Sequence, residues 1–150
     1  VNLREKVTIA RPRSVVFAWI TEPDRARQWQ LGVLDYQVTE PTPEVLGTRF
    51  RQTVGDQSRR VELRGEVTDF QQDEVIELAV AGRGLAIWTR YCLSDVGPST
   101  LLDVSSDVRL GGPLSMLLAP FARGKSAKHL RTELSRLQSL CEGRQPPLGR

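Results

Sequence analysis

The sequence predicts an α+β chain in which two short N-terminal helices precede a seven-stranded antiparallel sheet, one face of which is covered by a long C-terminal helix. Three observations predict it. A proline opens each of two short helical patterns between Thr8 and Trp29. Apolar and polar residues then alternate in short runs from residue 33 to residue 109. Finally, a helical pattern runs from Pro113 to about Glu142.

Residues 3 to 9 alternate and form the first strand. Pro12 and Pro23 are placed at first helical positions, where a missing N–H has no partner to lose. Val16, Trp19 and Ile20 then share a face of the first helix, and Ala26 and Trp29 a face of the second. Turn signals at Pro41-Thr42-Pro43, Gly55-Asp56, Gln71-Gln72-Asp73, Gly82-Arg83-Gly84 and Gly97-Pro98 delimit six further strands. These run near 33 to 40, 47 to 54, 60 to 69, 74 to 81, 85 to 94 and 100 to 109. Each has a dry and a wet face: Val61, Leu63, Gly65 and Val67 oppose Glu62, Arg64, Glu66 and Thr68.

In the last helix Leu130, Leu134, Leu137 and Cys141 form one stripe, but Leu114, Leu117 and Phe121 are about half a turn out of phase with it. Two readings stay open. Either Pro120 kinks or breaks the helix between Phe121 and Gly124, or the helix is continuous and its first turns, apolar on nearly every side, border a cavity or a partner. Gly143 stops the pattern. One domain over residues 1 to 143 is therefore expected, followed by a tail, 144 to 150, that has no periodicity and is expected to fray.

A chain of 150 residues with 39% hydrophobic content suits one domain with a real core. Its apolar runs are far shorter than the roughly 20 residues that span a bilayer, and no basic-then-apolar segment opens it, so a soluble cytoplasmic protein is expected. Cys92 and Cys141 have neither metal-type spacing nor disulfide density and read as reduced small hydrophobes. The 21 basic side chains interleave with 18 acidic ones, for a net charge of +3. The one local excess, Arg123, Lys125, Lys128 and Arg131 with His129, lacks aromatic residues for base stacking, so nucleic acid is not expected as a partner.

Several motifs, in this order, carry a resemblance. They are Ile9-Ala10-Arg11-Pro12 with Val16-Phe17, Thr21-Glu22-Pro23-Asp24 leading to Trp29, and Gly47-Thr48-Arg49-Phe50. Tyr91-Cys92-Leu93 before a turn and Thr100, and Leu134-Ser135-Arg136-Leu137, complete the set. With them the chain resembles the START-related, Bet v 1-like (SRPBCC) superfamily over residues 3 to 142, and within it the bacterial polyketide cyclase/dehydrase and lipid-transport branch. The resemblance implies a helix-grip fold, a curved seven-stranded sheet wrapped around the long C-terminal helix, with an apolar cavity between them. With Leu63, Gly65 and Val67 pointing inward, cross-strand pairing brings Phe50, Leu78, Val80, Ile87, Thr89, Tyr91, Leu102, Val104 and Ser106 to the same concave side. Tyr36 would stand near one mouth, and Leu117 and Phe121 would close the cavity from the helix. The ligand-binding set expected on this basis is Tyr36, Phe50, Leu63, Gly65, Val67, Leu78, Thr89, Tyr91, Val104, Leu117 and Phe121. Trp29 is expected as a packing hinge, and Trp88 and Arg90 as outward-facing.

Chemistry is sparse. His129 lies off the Leu130 stripe and is flanked by Lys128 and Arg131, as on a helix surface, and Asp103 and Asp107 alternate toward the wet face. No zinc-protease helix, nucleophile elbow or phosphate loop is present, and neither a metal nor a cofactor is expected. Cyclase members of the family tend to carry a hydroxyl and an arginine on the concave side of the strand that here runs from 60 to 69. The counterparts here are Gly65 and Val67, which supply neither donor nor cation for a polyketide enolate. Neutral groups remain: Tyr36, Tyr91, Thr89, Gln52 and Ser106. The expected function is binding or transport of a hydrophobic small molecule, lipid or polyketide-like. The alternatives are a cyclase or dehydratase using Tyr36 or Tyr91 as its acid, and a protein-interaction module resembling chaperone cofactors, docked through the apolar turns after Pro113. Homodimer formation is left open.

Overall fold

The computed structural model describes residues 2–56, 58–112 and 127–144. Strand β1 (Asn2–Ile9) leads into helices α1 (Arg13–Thr21) and α2 (Pro23–Trp29), and these into β2 (Val33–Glu40), β3 (Arg49–Gly55) and β4 (Arg60–Gln71). β5 (Val75–Gly82), β6 (Leu85–Val96), β7 (Ser99–Leu110) and helix α3 (Ala127–Cys141) follow. The sheet has the order β1-β7-β6-β5-β4-β3-β2, with every neighbouring pair antiparallel. Only β1 leaves sequence order, so the chain's first strand closes against its last. This is the helix-grip arrangement. Leu117, Phe121 and the Pro120–Gly124 kink lie outside the described residues, as do the apolar turns after Pro113 and the tail from residue 145.

Local chemistry explains the joints. Between β5 and β6, Arg83 and Gly84 both adopt positive φ (51° and 84°) inside the Gly82–Leu85 pair, the two-residue geometry that matches strand twist. Gly47, at φ 84°, stays in the loop ahead of β3, so that strand starts at Arg49 rather than at 47. Pro12 stands one place earlier than expected. It caps α1 in an extended conformation (φ −67°, ψ 158°), and its carbonyl accepts from the Val15 and Val16 N–H groups at 3.1 and 3.2 Å. Pro23 does open its helix at the N-terminal position. On α1 the buried residues are Val16, Phe17 and Ile20 rather than Val16, Trp19 and Ile20. Phe17 is drawn in by Phe70, 5.6 Å between ring centroids, while Trp19 stays half-buried beneath the Arg25 guanidinium.

Cross-strand register then makes one continuous inner face. Val67, Leu78, Thr89, Ser106 and Leu3 form a row from β4 through β5, β6 and β7 to β1; Ile76, Tyr91, Val104 and Glu5 form the next. A β-bulge between Val67 and Asp69 turns β4 by one residue, bringing Phe70 opposite Ile76 and inside, while Asp69 goes out to Arg90. Leu130, Leu134, Leu137 and Cys141 of α3 bury onto this face, together with Ile9, Val16 and Trp29. The convex face is polar: Arg90 donates to Asp69 and Glu77 at 2.8 Å each, and Arg4 pairs with Asp103. Trp88, 40% exposed, lies beneath Arg109. Such exposed pairs add little stability, on the order of 0–1 kcal/mol each.

The far end of α3 is fastened to the β1–α1 corner. The Ala10 N–H donates to the Glu142 carboxylate at 2.7 Å, Arg11 Nη2 to the Glu142 carbonyl at 2.8 Å, and Thr100 Oγ1 to the Arg11 carbonyl at 2.7 Å. The Ala10 N–H, first among the causes, holds the Glu142 carboxyl below its ordinary 4.5. Because the folded-state value is depressed, the contribution is complete above 4.5 and is lost as pH falls through the depressed value. Glu142→Gln is therefore expected to flatten the acid limb of the stability–pH curve below about pH 4.5 while leaving its neutral slope unchanged, as read by urea unfolding across pH.

Candidate functional site

Between the concave face of the sheet and the first turns of α3 lies a cavity of about 80 Å³. Its apolar wall is Leu3, Val33, Leu78, Val80, Ile87 and Leu130. Its polar groups are Gln30, Gln52, Thr89, Tyr91, Ser106 and Glu133. Gln52, Thr89, Tyr91 and Ser106 are neutral groups expected from the sequence, whereas Gln30 and the Glu133 carboxylate add polarity to a cavity expected to be apolar. The volume has room for several heavy atoms, the end of a ligand rather than the whole of a large one.

The polar groups come from separate elements, each held for a local reason. Thr89 and Ser106 are cross-strand partners, and their hydroxyls bond each other at 3.2 Å. The Tyr91 ring stands perpendicular to that of Trp29, 6.2 Å between centroids at 88°, so the end of α2 fixes it. Burial, aided by the nearby Glu133 charge, pushes the Tyr91 phenol well above its ordinary value, leaving it a proton donor throughout the neutral range. Gln30 caps α2, its N–H donating to the Ala26 carbonyl at 3.2 Å. Its side-chain Oε1 is buried and has no hydrogen-bond partner among the described residues. Glu133, 7% exposed on α3, accepts the Leu31 N–H at 2.7 Å through Oε2, tying the α2–β2 connection to the helix.

Of the expected ligand-binding residues, Leu78, Thr89 and Tyr91 border this cavity. Phe50, Leu63, Val67 and Val104 are buried in the packed core around it. The Phe50 ring lies directly over Gly65 and stacks on Tyr36, with centroids 5.0 Å apart at 20°. Tyr36, with its phenol pushed up to about 12 by burial, is therefore part of an aromatic stack at β2–β3 and does not line the cavity. Gln52 and Ser106 do line it. Gln30 and Glu133 were not expected from the sequence. Glu133 stands one turn beyond Leu130 at the edge of the apolar stripe, which is the one signal that could have found it. A second inward carboxylate, Glu5, shares the inner face of β1 with Leu3 and Val7 and pairs with Arg131 at 2.8 Å. His129 is half-buried on α3. Among the described residues no cluster of three or more His, Cys, Asp or Glu could hold a metal, and no helix is long and apolar enough to cross a membrane.

A seven-stranded sheet gripping a C-terminal helix over a lined cavity defines the helix-grip class of fold. The chain belongs to the polyketide cyclase/dehydrase and lipid transport family, whose model matches residues 1–142. Among solved structures it is similar to a START superfamily protein from Mycobacterium smegmatis, with a TM-score of 0.73 and 17% identity over 95% of this chain and 97% of that one. It is also similar to TTHA0849 from Thermus thermophilus (TM-score 0.71, 13% identity, 95% and 98% covered). A third is MLL2253 from Mesorhizobium loti (TM-score 0.69, 13% identity, 95% and 98% covered). At such identities these share the fold. No curated protein sequence matches the chain.

Proposed function

We propose that the protein binds a hydrophobic small molecule, lipid or polyketide-like, with one end inserted between the sheet and α3. The observation that carries this is the cavity itself, lined by six apolar side chains and bordered by neutral or hydrogen-bonded polar groups. The family to which the chain belongs, described as polyketide cyclase/dehydrase and lipid transport, supports the reading. Binding is favoured over catalysis because the strand that bears a hydroxyl and an arginine in cyclase members here carries Gly65 and Val67, and Phe50 covers the glycine. Native mass spectrometry of the gently purified protein is expected to detect a co-purifying hydrophobic molecule. An apolar fluorophore should bind the extracted protein with roughly one-to-one stoichiometry. Absence of both would sink the proposal.

A further inference from the structure

We propose that the end of the sheet carrying the β3–β4 and β5–β6 hairpins docks on an anionic lipid surface. The register puts both hairpins at one end: Gly55 pairs with Arg60, Gly82 with Leu85, and Leu85 in turn with Leu110, the last residue of β7. Arg59 and Arg60 stand on the first hairpin and Arg83 on the second, all exposed, with Arg64 on the outer face of β4 nearby. α3 begins at the same end, since Arg131 reaches Glu5 and, two turns later, Gln138 reaches the Thr8 carbonyl; the exposed Lys128 therefore joins them. Among the described residues none of these cations forms a salt bridge. The acids around them are engaged. Asp56 Oδ1 accepts the Ser58 and Arg59 N–H groups at 2.8 and 2.9 Å, Glu62 lies 3.8 Å from Arg51, and Asp107 pairs with Arg109 at 3.0 Å. Asp35, opposite Thr53 on β2, is a further acid here, and the balance stays positive.

At the opposite end the β4–β5 and β6–β7 turns carry Asp73, Glu74 and Asp95, with Arg13 held 2.9 Å from Asp95. Charge is thus polarised along the strand direction, and a molecule so polarised turns its basic end toward an anionic surface. Two leucines favour a bilayer over other polyanions. Leu34, 39% exposed, follows Val33, which pairs with Val54 beside the first hairpin. Leu110, 40% exposed, adjoins the second, where the Gly111 N–H donates to the Gly84 carbonyl at 2.7 Å. Apolar side chains set among arginines suit the boundary between headgroups and acyl chains. A nucleic acid would call for stacking aromatics, and neither hairpin turn has one. The two tips stand two strand spacings apart, about 10 Å, so their cations are spread as a flat charged surface requires. Val33, Val80 and Ile87 of the cavity wall lie close to these tips, and docking therefore brings the cavity toward the lipid. The docking itself goes beyond the apolar-ligand reading and does not depend on it.

Co-sedimentation with vesicles of pure phosphatidylcholine, and of phosphatidylcholine and phosphatidylglycerol in equal parts, tests the assignment. At low ionic strength the protein is expected to bind the anionic vesicles at least about tenfold more tightly than the neutral ones, and added salt should release it. Arg59→Gln and Arg83→Gln should each weaken that binding about fivefold, the worth of one basic residue at an anionic surface. Leu110→Ser should weaken it as well. Arg49→Gln, at the far end of β3, removes the same net charge and should leave vesicle binding unchanged. The arginine variants alter exposed side chains, and their urea midpoints should match that of the parent. Equal affinity for the two vesicle types, no binding to the anionic ones, equal losses in Arg49→Gln and Arg83→Gln, or tighter binding to duplex DNA than to the anionic vesicles would each overturn the docking. Fluorophore binding reads the cavity and sedimentation reads the hairpin end, so either proposal can fail while the other stands.

Discussion

Replacing Gly65 by alanine is expected to destabilise the protein by about 1–3 kcal/mol, the usual cost of forcing a methyl group into a filled core. A Cβ at this position would stand 2.2 Å from Cζ of Phe50 and 2.3 Å from its Cε2. The ring cannot retreat freely, being 2% exposed and stacked on Tyr36. Urea unfolding should show a lower midpoint with an unchanged slope. Phe50→Leu in the same chain should return part of the loss, because the two residues are register partners and their effects cannot be additive. Gly65→Ser would meet the same ring atoms. The hydroxyl that cyclase members carry on this strand therefore has no room here while Phe50 is present.

Trp29→Ala should cost still more, about 3–5 kcal/mol, within the range for removing a buried aromatic side chain. Trp29 is 1% exposed, and its indole N–H donates to the Trp19 carbonyl at 2.9 Å, locking α2 onto α1. Its ring also packs perpendicular to that of Tyr91, and the next residue is Gln30. Loss of the indole is thus expected to lower both the urea midpoint and fluorophore affinity. Trp29→Phe, which keeps a ring but not the donor, should fall between the parent and the alanine variant.

The seven strands and their order along the chain were legible because alternation is local: Ile76, Leu78 and Val80 announce an inner face whatever they pack against. The scaffold could be recognised from the same features with the proline-opened helices. The bulge in β4 was not legible, since nothing in Val67-Thr68-Asp69 marks an extra residue; it is set by the demand of Phe17 for Phe70 and of Arg90 for Asp69. The polar part of the cavity was the least legible. Glu133 meets its Leu31 partner across 102 positions of sequence, and Gln30, in the connection after α2, joins the wall beside residues of β3, β6 and β7 that are distant in sequence. Such placements are decided by tertiary structure and leave no periodic trace. Gly65 stood out in sequence as a departure from the cyclase pattern, but its physical reason, the Phe50 ring above it, needed the register between β3 and β4.

The clasp between Glu142 and the Ala10–Arg11 corner joins residues about 130 positions apart, and β1 pairs with β7 across about 91 to 105, from Ile9–Thr100 to Asn2–Asp107. Contacts of that separation form late, because the loop they close costs entropy before it returns any stability. During synthesis the inner face of the sheet is thus uncovered until α3 has left the ribosome, and the cavity is the last feature of this fold to form. A nascent chain halted before Ala127 would present Leu63, Leu78, Leu102 and Val104 to water without their helical cover. Chaperone demand and premature aggregation should therefore be concentrated in that interval rather than spread over the whole of translation.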